Sequence, residues 1–125
     1  MNAEELKQRT KRFGLEVIKL VEALPKGRTS DVIGRQLLRS GTSVGANYHA
    51  ACRGRSKADF ISKAGIVIEE ADETFYWMEL MQEARLVPEI QIKDLMKEAD
   101  ELVAILTASV KTARKNMQSP IKSQS

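Results

Sequence analysis

Cysteine, histidine and proline are all scarce in this chain of 125 residues. The single cysteine, Cys52, excludes a disulfide within the chain and suits a reducing compartment. Three prolines and seven glycines are too few for the many turns of a β-sandwich. Aromatic residues make up only 5%, which argues against a platform on which bases stack. No apolar run approaches the roughly 20 residues that span a bilayer, so no membrane partner is expected. The opening MNAEELKQRTKRF has no apolar signal-peptide core, and a cytoplasmic location is expected.

What the chain does have is helix-forming composition. Ala, Leu, Glu, Lys, Arg and Met dominate, with 42% apolar and 30% charged residues, the profile of a globular protein. The length suits one domain with one core.

Four segments carry apolar residues at helical spacing. In the first, Leu6, Phe13, Val17, Leu20 and Leu24 share a face, and Pro25 and Gly27 end it. Ser30 is the expected N-cap of the second, where Ile33, Leu37, Gly41, Val44, Tyr48 and Ala51 step by four and three. Ser56, with Asp59 three residues on, opens the third; Phe60, Ala64, Val67, Ala71, Phe75 and Met78 form its stripe, and Pro88 breaks it. A third helix of about 30 residues would be about 45 Å long. Ile92, Leu95, Ala99, Leu102, Leu106, Ser109 and Ala113 make the fourth. Links of about six and then three or four residues make neighbouring helices antiparallel, so an all-α, up-down-up-down four-helix bundle is expected. Residues 1–115 form that domain, and residues 116–125 a flexible tail.

Residues 37–60, LLRSGTSVGANYHAACRGRSKADF, pose the functional question. Gly41 and Gly45 lack the following Lys-Ser/Thr and the preceding strand of a phosphate-binding loop. His49 and Cys52 lie three apart on one helical face, but no further His or Cys completes a zinc site, so no metal or cofactor is expected. A di-iron bundle needs paired Glu-x-x-His motifs, and position 46 is alanine. Ser40, Ser43 or Cys52 would have His49 as their sole base, and Ser43 lies about 240° around a helix from it. An enzyme is therefore not expected. Glycine inside a helix costs about 1 kcal/mol relative to alanine, so repeated glycines need a compensation. Close approach of a neighbouring helix supplies one; a break near Gly41 is the alternative.

The same region resembles the small four-helix-bundle family first noticed as open reading frames within intervening sequences of bacterial 23S ribosomal RNA genes. The hallmark is similar to Gln-Leu-x-Arg-Ser-x-x-Ser-ϕ-x-x-Asn, here Gln36, Leu37, Arg39, Ser40, Ser43, Val44 and Asn47. Where many members continue with an Ile-Ala-Glu-Gly-like run, this chain has YHAACRG. The resemblance implies an antiparallel bundle assembled as a homopentameric ring. It also implies kinship with the accessory variability determinant of diversity-generating retroelements, a basic pentamer that engages nucleic acid and a reverse transcriptase. No enzymatic activity is established for the family that it resembles. Arg39, Gly41, Gly45 and Asn47 are assigned to helix packing or assembly.

Charge is unevenly spread. Residues 1–55 hold 11 Lys/Arg against 5 Asp/Glu, residues 56–105 hold 5 against 12, and residues 106–125 hold 4 against none. In an up-down-up-down bundle one pole collects Lys7, Arg9, Lys11, Arg12, Arg53, Arg55, Lys57, Lys111, Arg114 and Lys115. Repeated around a ring, that pole would attract RNA or DNA through backbone-directed contacts. Cations at the ends of helices two and four also complement the helix dipole, which leaves those at the start of helix one unexplained. A scaffold or adaptor for a protein partner is the alternative function. Arg35 and Arg39, four apart and away from that pole, are expected to pair with acidic side chains of helix three or of a neighbouring subunit, with phosphate contact as the alternative for Arg39. Apolar residues beside the main stripes (Ile18 and Val21; Ile61, Ile68 and Trp77; Met96, Val103 and Val110) suggest a self-association surface.

Overall fold

A computed structural model describes residues 1–118 of the chain. It is all-α among those residues: α1 (Ala3–Glu22), α2 (Arg28–Cys52), α3 (Lys57–Glu83) and α4 (Glu89–Gln118). Each neighbour in chain order packs on the next, and α4 returns against α1 along the sparsest of the four seams. Along the α1–α2 seam, Thr10 meets Gly45, Val17 meets Gly41, and Val21 and Leu24 meet Gly34. No described helix is long and apolar enough to cross a membrane.

The ends of the helices follow from local chemistry. Asn2 caps α1: its Oδ1 accepts from the Glu5 N–H at 2.8 Å, and its own N–H donates to Glu5 Oε1 at 3.1 Å. Ser56 caps α3, with Oγ accepting from the Asp59 N–H at 3.1 Å, as the spacing predicts. The expected cap on α2 is a different matter. That helix begins at Arg28, and Ser30 lies inside its first turn, buried. Gly27 holds the cap position with no side-chain bond. The α3 C-terminus closes with Leu86 N–H on the Met81 carbonyl and Arg85 N–H on that of Gln82. Arg85 takes the left-handed conformation this closure needs, with φ 59°. α3 has 27 residues, slightly under the expected length, and α4 continues through 116–118, past the expected domain end. The rest of the expected tail, 119–125, lies outside the described residues.

The core sits where the stripes converge. Phe13, Leu37, Met78, Ile92, Leu102 and Leu106 are fully buried within one continuous cluster. All six α2 stripe residues are buried, and α2 is unbroken across Gly41. Several residues expected on a self-association surface instead serve this core. Val110 is buried, and Ile68, Trp77, Met96 and Val103 pack against the cluster. Helices of this length present more than one stripe to their two neighbours, so their flanking apolar positions are covered within the chain.

Candidate functional site

The motif in α2 resolves into a clamp between α2 and α3. Leu37 and Val44 are fully buried core residues. Ser40 is also fully buried and accepts from Thr74 Oγ1 at 2.9 Å, which ties the two helices through a dry hydroxyl pair. At the adjacent, exposed position, the Arg39 guanidinium reaches Glu70 Oε2 at 3.2 Å and also bonds Glu73. Its hydrogen bond to Glu73, followed by the charges of both carboxylates, raises its pKa further. Glu73 also accepts from Trp77 Nε1 at 3.1 Å, and Trp77 stands edge-on to Tyr76. Thus Arg39 pairs with helix three, whereas Arg35, expected to do the same, is exposed and makes no ion pair among the described residues. Ser43 Oγ donates to the Arg39 carbonyl at 2.6 Å, and Asn47 Nδ2 donates to the Ser43 carbonyl at 2.9 Å. Both polar side chains therefore serve their own helix.

The two motif glycines face α1. A Cβ on Gly41 would lie 2.7 Å from the Val17 methyls, and one on Gly45 would lie 3.2 Å from the Thr10 carbonyl oxygen. Close helix approach is thus the compensation for the missing side chains. His49 and Cys52 diverge: His49 lines an outer groove between α1 and α2, whereas Cys52 packs on the core beside Tyr48. Burial, with a hydrogen bond to Cys52, pushes the Tyr48 phenol up. Among the described residues no three His, Cys, Asp or Glu side chains gather into a metal-binding group.

The basic positions separate into two groups. Arg53, Arg55 and Lys57, in and after the α2–α3 turn, are solvent-exposed, as are Lys111, Arg114 and Lys115 on the last turns of α4. Asp59 is held below the usual carboxylate range by the Arg55 N–H (3.1 Å) and by Lys63 (3.2 Å), which orders this turn. On α1, Lys11 and Arg12 are exposed and Lys7 lies 3.8 Å from Glu4. Arg9 is different. Its Nε and one terminal nitrogen grip both oxygens of Glu98 at 2.6 Å, and Glu101 approaches to 3.3 Å. The fork on Glu98 raises its pKa against the cost of partial burial. Arg9 therefore fastens the α1–α4 seam and is neutralised there, a correction to its place among cations available to a polyanion. It lies level with Glu101, ten residues short of Lys111, or about 15 Å along α4.

Thr74, Glu98 and Glu101 are the participants that sequence reading missed. Thr74 falls on the buried side of the α3 stripe, which was the available signal. The Arg9 partners come from a helix 89 residues distant in sequence, where no local spacing reports them.

The profile of the 23S rRNA-intervening sequence protein family matches residues 3–108. A crystal structure of a protein of unknown function from the S23 ribosomal protein family of Bacteroides thetaiotaomicron VPI-5482 superposes with a TM-score of 0.82 at 32% sequence identity. The alignment covers 89% of this chain and 99% of that one. No curated protein is detectably similar. With a profile spanning most of its length and a neighbour of the same four-helix form, the chain belongs to the 23S rRNA-intervening sequence protein family.

Proposed function

We propose that this is a non-enzymatic, bacterial, cytoplasmic protein that binds RNA or DNA backbones through a basic pole, as an antiparallel, up-down-up-down bundle assembled into a homopentameric ring. The observation that carries the reading is the exposed run Arg53, Arg55 and Lys57 at the α2–α3 turn, joined by the exposed Lys111 and Arg114 of α4. Helix dipoles favour cations at the α2 and α4 ends, but Lys57 lies at a helix start, where the dipole opposes it. Few aromatics support backbone contact over base stacking. The bond partners of Ser40 and Ser43, neither of them His49, support the absence of nucleophilic chemistry.

Fluorescence anisotropy with labelled mixed-sequence RNA, single-stranded DNA and duplex DNA tests the reading. Arg53→Glu with Arg55→Glu is expected to weaken binding at least tenfold, while Glu22→Lys, at the exposed end of α1, leaves it intact or strengthens it. A protein scaffold is the second reading. It is favoured by the exposed apolar and acidic outer face of α3, where Tyr76 and Leu80 stand among carboxylates. Absence of binding to all three nucleic acids at low salt would put that reading first.

A further inference from the structure

Two separate faces of the molecule complement each other. The first is the groove between α1 and α2, about 550 Å³ in volume. Gly14, Thr42, Gly45 and Ala46 form its floor, and the two helices come close together at Gly45, where a Cβ would lie 3.2 Å from the Thr10 carbonyl oxygen. Leu15 and Ile18 form an apolar wall that is exposed to solvent, Leu15 by 54%. Lys7 and Lys11 stand at the rim, with Glu4 beside Lys7. A second hollow on the same seam extends towards the α1–α2 turn, with Leu38 exposed and Lys26 and Arg35 at its edge, opposed by Asp31.

The second face is the outer ridge of α3. Ile66, Tyr76 and Leu80 are exposed large apolar residues, Tyr76 by 53%. Glu69, Asp72, Glu79 and Glu83 alternate with them, all exposed, with no basic residue at an exposed position of α3 beyond its opening Lys57. Gly65, next to Ile66, has an independent oddity. It sits inside a helix, yet a Cβ built there would meet nothing within 4 Å. No contact within the chain explains a glycine that costs about 1 kcal/mol of helix stability relative to alanine. Close approach of another molecule to this flank would.

We infer that the acidic apolar ridge of α3 in one copy seats in the basic-rimmed groove between α1 and α2 of the next copy. The inference rests on the self-assembly reading above and names the surfaces that make it. Ridge and groove are different patches, so the contact is head-to-tail, the kind that closes into a ring when the rotation per subunit allows. The ridge from Ile66 to Leu80 spans about 21 Å, and the α2 side of the groove from Arg35 to His49 also spans about 21 Å, at 1.5 Å per residue. Apolar side chains at the centre with opposite charges at the rim match the anatomy of a protein interface. Lys7 and Lys11 are then interface residues, and the polyanion site narrows to Arg12, Arg53, Arg55, Lys57, Lys111 and Arg114.

The test uses the full chain and light scattering after gel filtration at micromolar concentration. A ridge variant carries Tyr76→Lys and Glu79→Lys; a groove variant carries Lys11→Glu and Leu15→Glu. Each alone is expected to run as a monomer with wild-type helical circular dichroism. Mixed in equal amounts, they are expected to form a two-chain species, because one native ridge and one native groove remain between them. If either charged variant loses its helical signal, Tyr76→Ser and Ile18→Ser read the same two faces. A wild-type monomer would overturn the self-assembly reading itself. A wild-type oligomer whose size survives either variant, or two monomeric variants that stay apart on mixing, would overturn only the assignment of these faces.

Discussion

Gly14 and Gly41 both lie within helices, and alanine should separate them. At Gly41 the new methyl would meet the stiff Val17 side chain at 2.7 Å. Gly41→Ala is therefore expected to destabilise, the overpacking cost of about 1–3 kcal/mol outweighing about 1 kcal/mol of helix propensity. At Gly14 the nearest atoms are at 3.7 Å, ordinary contact, so Gly14→Ala should stabilise by up to about 1 kcal/mol. Urea denaturation of the two variants checks the opposite signs. Arg85 offers a third case: it holds a left-handed conformation in which glycine is unstrained. Arg85→Gly should raise stability by up to about 1 kcal/mol, since the relief of roughly that strain exceeds the added flexibility of the unfolded chain. The need for small residues at Gly41 and Gly45 was legible in the sequence because helix glycines demand a reason. That Arg9 serves Glu98 was not legible, because nothing near either residue reports the pairing.

At the scale of elements, the α2–α3 clamp explains the motif without chemistry. Arg39→Glu would set a third carboxylate against Glu70 and Glu73, and the melting temperature should fall, more at low salt than at high. Ser40→Ala leaves Thr74 its bond to the Glu70 carbonyl at 2.6 Å, so the loss should be only about 1 kcal/mol. The α2–α3 turn adds a pH signature. The Asp59 pKa is lowered in the folded state, so its contribution is present above the unfolded value of about 3.9 and is lost as pH falls through the depressed folded value. Thermal melts of Asp59→Asn should thus lie below wild type at neutral pH, and the two should converge in acid. The four stripes and the Ser56 cap were legible because period and cap chemistry are local. The fate of Met96, Val103 and Val110 was not: whether a flanking apolar residue meets a neighbouring helix or solvent depends on helix crossing, which periodicity does not encode.

On the scale of the whole molecule, the charge asymmetry read from the sequence keeps its outline but changes its membership. The α1–α4 seam removes Arg9, and the groove reading assigns Lys7 and Lys11 to a neighbouring copy. What remains is the exposed set at the α2–α3 turn and the end of α4, with Arg12 on α1, on a fold shared with a relative of unknown function. The salt dependence of nucleic-acid affinity tests the proposed polyanion binding most directly. The account predicts that log affinity for mixed-sequence RNA falls linearly with log salt concentration, with a slope of about −0.7 per phosphate neutralised on a single strand. It predicts that Arg53→Glu with Arg55→Glu makes that slope shallower as well as weakening binding. Affinity indifferent to salt, or a slope unchanged in the double variant, would contradict it.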